Sequence, residues 1–201
     1  MTEGEKSRVP TLAADHDFKP TQTLTPVGIY LPQYDRLYLF FVTSKVTADC
    51  LVDLLEQWWH DIKTEFPQIQ KWVINLDNGP ENQSRRTQFM FRLVQWVNLE
   101  HIPLQLAYYP PYHSKYNPVE RTFGWLEQHW NGDLLDSVET VLNFAATLTF
   151  KGNHPVVKLI TQIYETGVSL SASAMDELEK QWQRLPGLEK WFVEIPVTAT
   201  T

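Results

Sequence analysis

INLDNGPENQSRR, residues 74–86, decides how the rest of the chain is read. Trp72–Leu76 is a short apolar run that stops at Asp77, and Asn78-Gly79-Pro80 is a strong turn signal. The stretch therefore reads as a strand whose C-terminal end delivers a carboxylate into a turn. In α/β folds, side chains at such strand ends commonly face a site. An equally available reading is that Asp77 only initiates an Asx-type turn with Asn78-Gly79.

Downstream, a helix is expected over about Ser84–Asn98, with Phe89, Leu93, Trp96 and Val97 on its buried face. Leu104–Tyr108 reads as another strand, ended by Pro110-Pro111. Asn117-Pro118-Val119-Glu120 has the form of a helix start: Asn as cap, Pro at the first helical position and Glu at the third. Val119, Phe123, Leu126 and Trp130 continue one apolar face, and Asn131-Gly132 ends it. A further helix is expected from about Ser137 to Thr149.

Upstream, Val27–Leu31 and Leu37–Val42 read as two strands joined through Tyr34-Asp35, a hairpin with a longer loop. Leu51, Leu54, Leu55, Trp58 and Ile62 lie on one helical face, and Thr47 suits the N-cap. A hairpin leading into strand–helix units indicates a mixed α/β sheet. Residues 1–24 read as an extended polar arm, 25–150 as the core, and 151–201 as an extension of the same domain. Within that extension, Val156–Tyr164 is strand or helix, Ala174–Arg184 is expected to be helical, and Trp191–Val197 extended.

Composition narrows the function. The 201 residues carry 17 Lys+Arg against 24 Asp+Glu, a net charge of −7, which argues against a simple nucleic-acid-binding module. It argues less against a nuclease core, where acids hold metal ions. Cys50 is the sole cysteine, so no intrachain disulfide can form, in keeping with a reducing cytoplasm. The N-terminus has no signal-peptide core, and no apolar run approaches the roughly 20 residues of a membrane span.

Asp77 and Glu120 together say more than either alone. Glu120 on its own could be a capping-box partner at a helix N-terminus. A strand-end carboxylate and a later helical one can supply hard oxygen ligands to Mg²⁺ or Mn²⁺. Two-metal nucleases hold their ions roughly 3.5–4 Å apart to activate one oxygen and stabilise another. Arg85, Arg86, Lys115 and Arg121 lie near these acids and could meet phosphates, or could form ordinary surface ion pairs. Tyr108, Tyr109 and Tyr112 could stack on a base or simply pack. His113 reads as a solvated loop residue.

INLDNGPENQSRR and YYPPYHSKYNPVERTFGWLEQHWNG (108–132) closely resemble the second and third acidic motifs of insertion-sequence DDE transposases. The closest resemblance is to the Rhodopirellula-type DDE transposase family, whose motifs read like DxGxSN and PPxTSKxNxxEH. AADHDF (13–18) and Trp58-Trp59 are similar to that family as well, and the resemblance covers most of residues 14–167. It implies an RNase H-like fold, Mg²⁺- or Mn²⁺-dependent DNA cleavage and strand transfer, and transposon ends and target DNA as partners. It maps Asp77 onto the second acid and Glu120 onto the third. It also implies substrate-binding roles for Asn82, Ser114, Lys115, Asn117 and Arg121, with Arg121 standing where relatives tend to have His.

The same resemblance places the first catalytic Asp on a strand upstream of AADHDF. The residues before that motif here form no convincing strand, and Asp15 and Asp17 fall within the motif itself. A truncated or split catalytic domain, inactive alone, is therefore expected. The upstream-encoded portion or a full-length transposase would then be its partner. The alternatives are a non-catalytic remnant that binds transposase or DNA and regulates transposition, and a different nuclease using Glu127 or Asp133 as third ligand.

Overall fold

The computed structural model describes residues 23–110 and 116–198. Strand β1 (Thr25–Leu31) and strand β2 (Arg36–Val42) form the expected antiparallel hairpin, with Leu31 opposite Arg36 and Thr25 opposite Val42. Helix α1 (Ala48–Ile62) starts where Thr47 accepts a hydrogen bond from the Cys50 amide, 3.3 Å. Strand β3 (Trp72–Leu76), helix α2 (Thr87–Glu100) and strand β4 (Leu104–Tyr108) follow. Then come α3 (Pro118–His129), α4 (Val138–Thr147), β5 (Val156–Ile160), α5 (Ala172–Leu178), β6 (Gln183–Arg184) and β7 (Phe192–Ile195).

The expected mixed α/β architecture forms, divided into two sheets. One has the order β1-β2-β5, with β5 parallel to β2; the other has the order β3-β4-β7-β6, with β3 and β4 parallel and β7 antiparallel to both its neighbours. β2 is buried on both faces, which is why RLYLFFV reads as an unbroken apolar run. Tyr38, Phe40 and Val42 enter the larger core beneath α1 and α2. Leu37, Leu39 and Phe41 enter a smaller core with Leu126 of α3 and Val141 and Ala145 of α4.

The second sheet points Trp72, Leu104, Leu106, Tyr108, Val193 and Ile195 into that same larger core. Its opposite face is open among the described residues: Val73 is 58% exposed and Asn75 is also exposed. Both sheets, the two halves of the fold, thus turn one face to the same core. Ring contacts bind the halves: Tyr38 to Trp58, Trp58 to Trp59, Trp59 to Trp72, and Trp72 stacked on Trp96 at 4.1 Å and 12°. Among the described residues, β1 pairs only with β2 and β3 only with β4; the other edge strands of the two sheets are β5 and β6.

α1 and α2 are also joined by charge. Arg92 of α2 donates to Asp49 (2.9 Å) and Asp53 (2.6 Å) and lies 3.3 Å from Glu56, three acids on one face of α1. Arg92→Ala is expected to cost roughly 2 kcal/mol, because it removes charge-assisted hydrogen bonds and leaves neighbouring carboxylates repelling along the helix. Urea denaturation would read this, and a midpoint unchanged from the parent chain would refute it. Cys50 lies on the buried face of α1, and that burial pushes its thiol pKa up to about 11.

Two helices depart from the sequence expectation by more than two residues, and the strand-or-helix alternative at Val156–Tyr164 is decided. α2 begins at Thr87, because Ser84–Arg86 belong to the preceding turn. Val156–Ile160 is a strand, fixed by its pairing with β2. Helix α5 spans Ala172–Leu178, so the expected Ala174–Arg184 region is α-helical only as far as Leu178. A single 3₁₀ turn follows, then buried Trp182 enters the larger core and Gln183-Arg184 pair with β7. No helix among the described residues is long and apolar enough to cross a membrane.

Candidate active site

Asp77 leaves the end of β3 exposed to solvent. Its Oδ1 accepts from the Gly79 amide at 3.2 Å and from Asn82 Nδ2 at 2.7 Å. Both donors address one oxygen, which fixes the rotation of the carboxylate. Asn78 has φ +64°, a left-handed conformation that Asn tolerates. The Asn82 and Gln83 amides then close back on the Gly79 carbonyl at 3.3 and 3.0 Å. A side chain at Gly79 would sit 3.3 Å from Asn82 Oδ1 and 3.4–3.5 Å from the Asp77 carboxylate oxygens, so the turn is shaped around that acid. The Asx-type turn read from the sequence is thus present, and Asn82 adds a second donor from the side chain.

The turn is tied down from two strands. Tyr108, at the end of β4, donates its hydroxyl to the Asn82 carbonyl at 2.9 Å. Tyr108 is therefore a buried donor; burial raises its phenol far above the ordinary value, with the charge of Arg184 opposing that shift. Arg184 of β6 donates to the Ser84 hydroxyl at 2.9 Å and to the Ser84 carbonyl at 3.1 Å. Arg86 pairs with Glu81 at 3.2 Å, so it follows the ion-pair reading; Arg85 is exposed.

Glu120 lies in the first turn of α3, partly buried. Buried Asn117 caps that helix by accepting from the Val119 amide at 3.4 Å, and Pro118 occupies its start. The helix is seated on β1 at Gly28, where an added Cβ would lie 2.8 Å from Val119 Cγ2 and 3.1 Å from Phe123 Cζ. Arg121 is exposed on the same turn. Tyr112, His113, Ser114 and Lys115 lie outside the described residues, as do Asp15 and Asp17.

The geometry brings Asp77 and Asn82 into direct contact and groups Asn117, Glu120 and Arg121 on one helix start. Among the described residues, no three His, Cys, Asp or Glu side chains group so as to hold a metal ion. Glu127 and Asp133, both exposed, do not complete such a group. The donors present are hard carboxylate oxygens, right in kind for Mg²⁺ or Mn²⁺ but too few for a closed ligand set. Sequence reading gave no sign of Ser84 and Arg184, which lie 100 positions apart and carry no local motif.

A family model described as Rhodopirellula transposase DDE domain matches residues 2–196. No curated protein and no solved structure gives a significant match.

Proposed function

We propose that this chain, which belongs to the Rhodopirellula transposase DDE domain family, carries the second and third acids of a DNA cleavage and strand-transfer site and takes the first acid from elsewhere. Membership in the family gives the chain a role in transposition, and its mixed α/β structure agrees with an RNase H-like fold. In the proposed site Asp77 and Glu120 hold the metal, and Asn82 keeps the Asp77 carboxylate in one orientation. Ser114, Lys115, Asn117 and Arg121 serve the DNA, transposon end or target, in the cytoplasm. Mg²⁺ or Mn²⁺, when bound, supplies the charge that neutralises developing oxyanions.

The observation that supports the incompleteness is that the β1 and β3 edges are both unpaired among the described residues. β1 and β3 are edge strands of two sheets that share one core, and in the proposed intact site a further strand would pair with both. A carboxylate on that strand would enter the fold beside β3, the strand that ends at Asp77. Those edges also support a second reading, in which the chain pairs with intact transposase and regulates it; co-purification of the two would favour that reading.

The test is strand transfer of terminal-repeat DNA with Mg²⁺, using the purified chain with and without a polypeptide carrying an Asp-Thr-Lys-like first-acid strand. No activity is expected from the chain alone. Activity on mixing should fall about 10²–10³-fold or more with Asp77→Asn or Glu120→Gln. Robust activity of the chain alone would sink the incompleteness. Complemented activity indifferent to both substitutions would sink the residue assignment.

A further inference from the structure

A turn that opens on an exposed acid and contains Gly79 has much conformational freedom to lose. Its internal backbone bonds are few: Asn82 N and Gln83 N to the Gly79 carbonyl, and Arg86 N to the Gln83 carbonyl at 2.9 Å, beside the side-chain contacts to Asp77, Gln83 to Pro80 and Arg86 to Glu81. None of these reaches beyond the turn. Its external polar ties are Tyr108 at Asn82 and Arg184 at Ser84. The second tie differs from the first in being bidentate and charged.

Ser84 is 6% exposed, so its hydroxyl and carbonyl each need a partner. One guanidinium supplies both, and its planar fork matches two acceptors on one residue in a way a lysine ammonium does not. Arg184 is itself held. Its backbone pairs with Val193 in β7, and Nη1 also donates to the Glu189 carbonyl at 3.1 Å. The connection from β6 to β7 is closed by Leu188 N to Leu185 O (2.9 Å), Trp191 N to Leu188 O (2.8 Å) and Leu185 N to Phe192 O (3.2 Å). Glu189 accepts from the Gly187 amide at 2.8 Å, which lowers its carboxyl pKa and keeps it ionised.

We propose that Arg184 is a positioning residue for Asp77, acting through Ser84 and Asn82. A rigid C-terminal hairpin grips the middle of the turn; the turn presents the Asn82 amide; the amide sets the carboxylate. The C-terminal segment thereby acquires a role in the acidic site although it contributes no acid to it. The proposal rests on reading Asp77 as a site acid, but its structural part is separable from that reading.

Hydrogen exchange and the Asn82 side-chain amide resonance, followed by NMR, test it. In Arg184→Ala, protection of the Asn82, Gln83 and Arg86 amides is expected to fall roughly ten- to hundredfold. Protection at Leu54 and Leu55 in α1 should stay unchanged. The Asn82 Nδ2 protons should shift toward the position of a free amide as their bond to Asp77 loosens. Arg184→Lys should restore only part of both signals.

Unchanged turn protection overturns the proposal. So does an equal loss at Leu54 and Leu55, which would make Arg184 a general stabiliser, and so does a loosened turn with an unmoved Asn82 resonance. A Mn²⁺ titration of wild type and Asp77→Asn, read by broadening at Asn78 and Gly79, addresses the parent reading separately. Broadening that ignores Asp77→Asn would count against Asp77 as a metal ligand and leave the exchange result standing.

Discussion

Trp96→Ala is expected to lower the free energy of unfolding by about 3–5 kcal/mol, the range for deleting a fully buried large side chain. Trp96 is 1% exposed and stacks on Trp72, which in turn meets Trp59 edge-on. Its loss opens a cavity where α2, β3 and α1 converge. The indole N–H of Trp96 has no acceptor among the described residues, so removing it relieves an unpaired donor and moves the expectation toward the lower end. Domains of this kind hold only about 5–15 kcal/mol in total, so the variant should be close to unfolding at ambient temperature. Urea denaturation followed by far-ultraviolet dichroism measures it; Trp96→Phe, which keeps a ring in place, should recover much of the loss. A change below about 1 kcal/mol would mean that the aromatic chain does not join the two halves of the fold.

Gly28→Ala should also destabilise, by about 1–3 kcal/mol, as overpacking does. The sign is informative. Replacing a strand glycine by alanine at an unstrained site usually stabilises by restricting the unfolded chain. Here the new methyl would stand 2.8 Å from Val119 Cγ2, and valine is too stiff at χ1 to swing aside freely. α3 must then lift from β1, and Glu120 rides on the first turn of α3. The variant should therefore lose stability and show chemical-shift changes along Val119–Phe123. A gain in stability without such changes would show that α3 is not seated tightly on Gly28.

Much of this arrangement was legible in residues close together in sequence. The β1–β2 hairpin, the apolar face of α1, the Thr47 cap and the Asn117-Pro118 helix start depend on short-range spacing, and each formed. Asp77 at a strand end before Asn78-Gly79 was readable for the same reason. What sequence spacing could not supply was pairing across distance: β5 beside β2, β7 beside β4, and the division into two sheets. Ala174–Arg184 misled because Met175, Glu177, Leu178, Glu179 and Lys180 are all good helix formers. The burial of Trp182 and the pairing of Gln183 with Glu194 outweighed that preference. Arg184 was invisible as a site neighbour because its acceptors on Ser84 become a pair only once the turn has closed.

The stacked indoles have an optical consequence. At 4.1 Å and nearly parallel, the transition dipoles of Trp72 and Trp96 couple strongly, and Trp59 and Trp58 continue the series toward the other sheet. Excitation absorbed in one half of the fold can migrate through α1 to the other. A dichroic couplet from the stacked pair would then report, with no added label, whether β3 remains docked against α2.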